Sequence, residues 1–452
     1  MSRATWGSRV GFIFAVAGSA VGLANIWRFP YIVGANGGAA FIAIYLLCLL
    51  LIGFPVFMAE ILIGRTTQTS PSGAFAKLGD HPVWSWGGKL TIFTGFIVSA
   101  FYSAVAGWIL GYLVEALLGH LTLFKTAEES GLHFQTLTSN PWWGVGFHFL
   151  FLLSCTAVLY LGVREGIEKG NKIMMPLLFI VLIVLVARGL MLPNAGNALA
   201  FLLKPDWSAL TPGAFLIALG QSFFTLSLGQ GTMVTYGSYL GTKDNLLKSC
   251  VPVVLMDTLV SLFASVAVFT IVFSVGMEPD SGPGLIFHTL PLVFSQIPGG
   301  YLLAILFFLL VVLAALTSEI SAMEPSIAYL MDEKGWKRHH AVMVCGLGAF
   351  LLGIPCALSY SWFSSPIFFG QNFLDALSFL ASNILIPVGG LLAVVLVGWV
   401  WGFKNALSQL NQGTNDFFKR HPLVKYYFWF CFKFSAPILI MIVFLHALGL
   451  VS

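Results

Sequence analysis

Long apolar stretches dominate this sequence and limit the folds that it can adopt. Eleven stretches reach the length that a helix needs to cross a lipid bilayer. They cover residues 8–38, 39–63, 88–118, 144–163, 172–192, 213–240, 250–276, 300–331, 340–358, 373–401 and 425–450. Only 9% of the residues are charged, whereas soluble proteins carry about 25%. The sequence therefore predicts an all-α membrane protein with eleven transmembrane helices in a lipid bilayer.

The connections between these stretches indicate one domain. The longest of them cover about residues 120–143, 193–211, 277–299 and 403–424, which is too short for a separate soluble domain. Residues 1–452 are therefore predicted to form a single transmembrane domain. The six cysteines lie in or beside apolar stretches without CxxC spacing, so neither disulfides nor a metal site are predicted. The net charge of +4 gives no indication of nucleic-acid binding.

Basic residues are distributed unequally between the two predicted sides of the membrane. If the N-terminus lies inside, 18 Lys and Arg residues face inward, three face outward and Arg28 lies in the membrane. Because loops rich in Lys and Arg stay in the cytoplasm, a cytoplasmic N-terminus is predicted. An odd number of spans then places the C-terminus outside. The absence of Asn-x-Ser/Thr sequons fits a bacterial plasma (inner) membrane.

The first stretch, residues 8–38, contains residues that disfavour an unbroken membrane helix. A break at Gly22–Asn25 would expose backbone polar groups, which the membrane interior tolerates only where protein or a water-filled cavity surrounds them. The stretch is therefore predicted to line a site. The alternative is a packing face of Gly18 and Gly22, with Arg28 extending to the membrane surface.

The sixth stretch, residues 213–240, carries a second interruption. Gly229 and Gly231 flank Gln230 in the middle of the stretch, which predicts unwinding. Interrupted helices at corresponding positions of two halves are typical of transporters built from inverted repeats. The predicted organisation is a first five-helix repeat over residues 9–192, a second over residues 213–401, and an additional eleventh helix over residues 425–450.

Several motifs in these stretches occur together in one family. The run WGSRVGFIFAVAGSAVGLANIWRFPYIVGANGGAAF is followed by GFPVFMAEILIGR, GQSFFTLSLGQG and ALTSEISAMEP. In order, over about residues 3–401, the chain resembles the neurotransmitter:sodium symporter family with the leucine-transporter fold, in its bacterial eleven-span subgroup. The resemblance implies alternating-access symport of Na⁺ with a small neutral amino acid, and no enzymatic activity. It leaves the oligomeric state open.

The resemblance also implies two sodium sites. Na⁺ is a hard cation that needs several oxygen ligands. The first implied site uses the Ala20 carbonyl, Asn25, Thr225, Asp257 and the carboxylate of the substrate. The second uses the carbonyls of Gly18, Val21 and Ala314 with the hydroxyls of Thr317 and Ser318. For these two hydroxyls, hydrogen bonds to the preceding helical turn are the alternative.

Asp257 departs from the family, which usually has asparagine at this position. An ionisable residue in the middle of a span indicates function by default, although a buried ion pair or a protonated acid is an alternative. In chloride-dependent relatives the anion lies near positions that match Tyr45, Gln221 and Ser261. A carboxylate at Asp257 supplies a similar negative charge. We therefore predict transport that does not require chloride, and a proton on Asp257 in the return step is a further hypothesis.

The resemblance implies a substrate pocket around the first break. The substrate carboxylate is expected near the amides at Gly22, with a hydrogen bond from Tyr102 and with Phe224 as a lid. On the residues alone, Tyr102 is more simply a packing residue. The small Ala322 leaves room for a large substrate side chain, so a hydrophobic or aromatic amino acid is predicted. The polar Gln230 would tolerate a polar group at the tip of that side chain. The implied pocket residues are Ala20, Gly22, Val98, Tyr102, Phe224, Thr225, Ser227, Gln230, Ser318 and Ala322.

Gates are implied on both sides of the pocket. The implied gate residues are Arg3, Trp6, Tyr239 and Asp332 on the cytoplasmic side, and Arg28 and Asp375 on the outer side. The family's acidic partner of Arg28 is replaced by Ser378, and Asp375 lies one turn before it. As surface residues, Arg3 and Asp332 are equally consistent with solvated charges.

Two other function classes are alternatives to a symporter. A sensor or channel would bind the amino acid without stoichiometric coupling to Na⁺. A membrane enzyme is disfavoured because neither H-E-x-x-H nor G-x-S-x-G occurs. Three further acids lie inside the apolar stretches. Glu60 is predicted to brace the broken helices, whereas Glu319 and Glu324 receive no role from the sequence.

Overall fold

Every predicted apolar stretch forms one helix or a pair of helices. The structure, a computed structural model, describes residues 4–277, 283–366 and 370–450. We number the segments in chain order: segment 1 (Arg9–Ala20 and Ala24–Ala35), segment 2 (Ala39–Thr67), segment 3 (Trp84–Leu117), segment 4 (Pro141–Tyr160), segment 5 (Val163–Leu190), segment 6 (Pro212–Thr225 and Thr232–Gly237), segment 7 (Leu246–Ser274), segment 8 (Gly300–Lys334), segment 9 (Arg338–Ala357), segment 10 (Phe373–Val400) and segment 11 (Pro422–Ala447).

The regular elements of the described residues are helical throughout, so the all-α prediction is confirmed. Within the described residues, nine segments are long and apolar enough to cross a membrane, and the bent segment 1 makes ten if its two halves form one span. The two halves of segment 6 are each shorter, and eleven crossings therefore remain a prediction. Shorter helices connect the segments: Pro71–Leu78, His120–Thr122, Ala127–Ser139, Ala195–Leu203, Trp207–Ala209, Pro283–Leu285, Thr289–Gln296, Phe403–Leu410 and Phe417–Arg420.

Both predicted interruptions are present. The two halves of segment 1 meet at an angle of 53°. The helix ends at Ala20 and resumes at Ala24, so the break lies slightly earlier than the predicted Gly22–Asn25. In segment 6, residues 226–231 are not helical. Gly229, Gly231 and Ser227 there have positive φ angles, which glycine adopts without strain but serine does not.

Wide π-helical turns interrupt several segments, and the sequence analysis did not predict them. Four of these turns end directly before a helical residue and a proline, at Phe29-Pro30, Phe54-Pro55, Ile386-Pro387 and Ala436-Pro437. Proline lacks an N–H and its ring clashes with the carbonyl four residues earlier. A wider turn relieves that clash.

Segment 3 lies at the centre of the molecule, where it packs against segments 4, 8 and 9. Of its most apolar 18-residue window, 83% is buried, compared with 33% for segments 4 and 11. Segment 1 packs against segments 5, 7 and 8. The broken segments 1 and 6 are thus enclosed by other helices, as their free backbone groups require.

Candidate functional site

The free backbone groups at the break in segment 1 bond to its own Asn25 and to side chains of segments 3 and 6. The Gly22 amide donates to Asn25 Oδ1 at 2.9 Å, and the Leu23 amide donates to the Tyr102 hydroxyl at 3.3 Å. The Ala24 carbonyl accepts from Gln221 at 3.0 Å. All three bonds are made by buried groups. The break is therefore a polar centre inside the protein.

A first cluster of oxygen atoms surrounds Asn25. Its amide nitrogen lies 2.9 Å from Thr225 Oγ1, 2.8 Å from Ser261 Oγ, and 2.7 and 3.3 Å from the side-chain and backbone oxygens of Asp257. An amide nitrogen has only two hydrogens, so it cannot donate a separate hydrogen bond to each of these four oxygens. Such a surplus of buried oxygens suits a hard cation.

Asp257 is the charged member of this cluster and is fully buried. Its carboxylate accepts from Thr225 Oγ1 at 2.9 and 3.1 Å, in addition to the bond from Asn25. None of the ion pairs within residues 4–277, 283–366 and 370–450 involves it. A bound cation would balance this carboxylate, because an uncompensated buried charge is costly.

A second cluster of oxygen atoms joins segment 1 to segment 8. The hydroxyl of Ser318 lies 3.3 Å from the Gly18 carbonyl, 3.2 Å from that of Ser19 and 3.1 Å from that of Val21. One hydroxyl hydrogen faces three acceptors. The Thr317 hydroxyl instead donates to Ala314 at 3.0 Å within its own helix. The alternative of hydrogen bonding to the preceding turn therefore describes Thr317 but not Ser318.

A small cavity of about 40 Å³ lies beside the break in segment 1 and is also lined by Ser318 of the second cluster. Of the predicted pocket residues, it is lined by Ala20, Gly22, Val98, Tyr102, Phe224, Ser227, Gln230, Ser318 and Ala322. Thr225 does not line it and faces the first oxygen cluster. The lining also includes Ser19, Leu23, Ala24, Phe223, Leu228 and Ile386, which the sequence analysis missed. All but Ile386 lie within two residues of a predicted one.

A larger cavity of about 490 Å³ lies on the other side of Phe224 and shares Phe224 and Tyr102 with the small one. Arg28, Asp375 and Ser378 line it. The guanidinium carbon of Arg28 lies 5.1 Å from the centre of the Phe224 ring, a cation–π contact. The Asp375 carboxylate accepts from Asn372 at 2.8 Å. The two predicted outer-gate residues thus face one cavity with different partners.

The predicted cytoplasmic-gate residues Trp6, Tyr239 and Asp332 do not line the two cavities and have partners of their own. The Trp6 indole donates to the Tyr236 carbonyl at 3.1 Å and packs edge-on against Tyr239. The Asp332 carboxylate accepts from the Ser70 amide at 2.7 Å. Arg3, its predicted partner, lies outside the described residues.

The three further acids inside the apolar segments have distinct partners. Glu60 accepts from the Gly229 amide at the break of segment 6, at 2.7 Å, which fits the bracing role predicted for it. Glu319 accepts from the Ser99 hydroxyl. Glu324 forms a buried ion pair with Arg338 at 2.7 Å and accepts from the Tyr239 hydroxyl at 2.7 Å. This pair was not predicted, because its members lie on separate helices.

Several known proteins are similar to this chain over nearly its full length. The family described as the sodium:neurotransmitter symporter family matches residues 3–130 and 145–451. An uncharacterized sodium-dependent transporter of Bacillus subtilis is 39% identical over 99% of this chain and 98% of its own. One of Haemophilus influenzae is 34% identical over the same shares of the two chains.

A solved structure shows the same fold. The crystal structure of MhsT in complex with L-phenylalanine has a TM-score of 0.89, with 41% sequence identity, and covers 99% of this chain and 100% of that one. Mammalian sodium- and chloride-dependent creatine transporters, including the human one, are 27% identical over 98% of this chain and 76% of their own.

Proposed function

We propose that this chain, which belongs to the sodium:neurotransmitter symporter family, takes up a small neutral, hydrophobic or aromatic amino acid by alternating access. Its membership makes it a sodium-dependent membrane transporter and not an enzyme. The observation that carries the proposal is the break in segment 1. There the small cavity and both oxygen clusters meet, so that one conformational change acts on the ions and the amino acid together.

The carboxylate end of the amino acid is assigned to the backbone at this break. At one side of the small cavity, the Gly22 amide donates to Asn25 and the Leu23 amide donates to the Tyr102 hydroxyl, whose own hydrogen can serve a substrate carboxylate. Peptide amides at a helix end favour anions. A carboxylate there also lies beside the first oxygen cluster and supplies a ligand to its cation. We infer that this shared group couples the amino acid to one Na⁺, and that the second cluster holds another.

The side chain of the amino acid is assigned to the end of the cavity near Gln230 and Ala322. Gln230 is only 6% exposed, and its Oε1 has no hydrogen-bond partner among the described residues. A substrate with a donor at its tip, such as the tyrosine hydroxyl, would satisfy this oxygen. The complex of MhsT with L-phenylalanine supports an aromatic substrate in this fold.

Chloride is proposed to be dispensable because Asp257 already supplies a negative charge. The carboxylate lies 2.7 Å from Asn25 in the first oxygen cluster. A fixed charge there replaces an anion as the partner of a bound cation. The proton that Asp257 is hypothesised to carry in the return step would use the same carboxylate.

The membrane arrangement is part of the proposal. We place the protein in the bacterial plasma (inner) membrane as one domain of eleven spans, with two five-helix repeats over residues 9–192 and 213–401. The excess of Lys and Arg in alternate loops places the N-terminus in the cytoplasm and the C-terminus outside.

Uptake into proteoliposomes tests the proposal. The purified protein is given a pool of labelled amino acids with an inward Na⁺ gradient, in chloride-free buffer, and a K⁺ gradient serves as the control. We expect accumulation above equilibrium that stops when the Na⁺ gradient is dissipated. Competition within the pool then identifies the substrate. Saturable binding without accumulation would instead favour the sensor or channel.

A further inference from the structure

Segment 5 carries a buried amide side chain that none of the roles above uses. Asn171 is 0% exposed, and its Nδ2 donates to the Ile167 carbonyl, one turn earlier, at 2.9 Å. Its Oδ1 has no hydrogen-bond donor among the described residues. A buried acceptor without a partner costs about 1–3 kcal/mol. Such a group in a native protein calls for a ligand or another compensating role.

The unpartnered oxygen faces segment 1 at the second oxygen cluster. The bond from Nδ2 to Ile167 holds the amide group in place. A Cβ atom at Gly18 would lie 2.1 Å from Asn171 Oδ1 and 3.1 Å from Thr317 Cβ. Asn171 and Thr317 therefore flank the same point beside Gly18, from segments 5 and 8. Gly18 and Thr317 are both residues of the proposed second sodium site.

The other polar side chain of segment 5 near segment 1 is already satisfied. The Glu168 carboxylate, three residues before Asn171, accepts from the Gly7 amide at 2.6 Å, the Ser8 hydroxyl at 3.0 Å and the Lys172 ammonium at 2.6 Å. Asn171 differs because its acceptor faces the cluster without a donor. Amide oxygens are among the ligands that hard cations use in proteins.

We propose that Asn171 Oδ1 is a ligand of the cation bound by the second oxygen cluster. The inference rests on the proposed function, because it takes that cation to be Na⁺. It adds a third helix to a site formed by segments 1 and 8. A bound Na⁺ then draws segment 5 against both of them and stabilises the arrangement in which these three segments are packed together.

Equilibrium binding of ²²Na⁺ to the purified full-length protein, without amino acid and with choline as the replacing cation, tests this role. Asn171→Ala removes the oxygen and is expected to weaken one class of sodium sites about tenfold. Asn171→Leu fills the space without an oxygen and should behave in the same way. Asn171→Asp keeps an oxygen at this place and should bind Na⁺ at least as tightly as the unmodified protein.

Thr156→Ala is the matched control, because the Thr156 hydroxyl donates to the Leu152 carbonyl of its own helix, at 2.6 Å, and to no other group of the described residues. Size-exclusion profiles and melting temperatures in choline buffer show which variants are folded. The inference is overturned if folded Asn171→Ala or Asn171→Leu binds Na⁺ within twofold of the unmodified protein. It is supported if both weaken binding while Thr156→Ala does not. If the unmodified protein itself lacks saturable ²²Na⁺ binding, the sodium coupling of the proposed function fails together with the inference.

Discussion

The two broken segments solve the same problem by different means. In segment 1 the break is three residues long, and side chains such as Asn25 and Tyr102 occupy its free amides. Gly22 has no left-handed backbone angle. In segment 6 the break is six residues long, and Gly229 and Gly231 adopt positive φ angles of 72° and 76°. The first break is organised by side chains, whereas the second is organised by its backbone conformation with the Glu60 side chain as a brace.

This difference assigns different tasks to the two breaks. The groups at the first break that are now held by side chains can be transferred to ions and to a substrate carboxylate. The second break is held by tight backbone contacts, since a Cβ at Gly229 would lie 2.0 Å from the Ile386 carbonyl of segment 10. We therefore expect changes at the first break to affect binding and changes at the second to affect folding.

Paired glycine substitutions give the largest expected contrast. Gly229→Ala places a methyl group against the backbone of segment 10 in a strained conformation and should destabilise the protein by about 3 kcal/mol. The three atoms nearest to the added methyl group of Gly22→Ala belong to side chains: Ser318 Oγ at 2.5 Å, Tyr102 Oη at 3.1 Å and Ser318 Cβ at 3.3 Å. This variant should remain folded and lose substrate binding about tenfold or more. Melting temperature and binding of the labelled substrate are measured side by side.

Gly220→Ala, also in segment 6, is the control for this pair. A Cβ atom at Gly220 would have no atom of the described residues within 4 Å. This variant should change neither quantity. Equal losses of stability in Gly22→Ala and Gly229→Ala would show that the two breaks do not differ in this way.

Removing the brace of the second break should have an intermediate effect. Glu60→Ala leaves the Gly229 amide without an acceptor and should cost about 2 kcal/mol of stability. Glu60→Gln retains a carbonyl oxygen for the 2.7 Å bond and should cost less. Thermal unfolding in detergent measures both variants. If the two melt at the same temperature, the negative charge of Glu60 matters more than its hydrogen bond.

Neutralising the acid at the first break should change the ion requirement without unfolding the protein. Asp257→Asn removes the fixed negative charge and should lower uptake in chloride-free buffer about tenfold, with recovery when chloride is added. Asp206→Asn, an exposed acid of the loop before segment 6, is the control. Uptake by Asp257→Asn that chloride does not restore would argue against charge replacement.

The smallest expected effect is that of Gln230, a residue of the second break that lines the small cavity. Gln230→Met removes the unpartnered amide oxygen but keeps a flexible side chain of similar length. Tyrosine should then compete for uptake about fivefold less well relative to phenylalanine, as measured by their inhibition constants. An unchanged ratio would mean that Gln230 does not contact the tip of the substrate.

Sequence reasoning located the apolar segments and both breaks because hydropathy and glycine placement are local signals. It did not anticipate the π-helical turns, although the proline two residues after four of them offered a signal. The four-oxygen environment of Asn25 and the position of Asn171 depend on contacts between distant segments, and the pair of Glu324 with Arg338 depends on how two consecutive helices pack. Local patterns do not encode such contacts. For the site, the family resemblance carried most of what was predicted.

The burial of the thiols has a practical consequence for following the motion of this protein. All six cysteines are buried and unpaired, so water-soluble maleimides should react slowly with the folded chain. A single cysteine introduced at Ser378, which lines the larger cavity, would then be labelled against a low background without removing any native cysteine. The rate of that labelling, with and without Na⁺, becomes a direct record of how often the outer cavity is open.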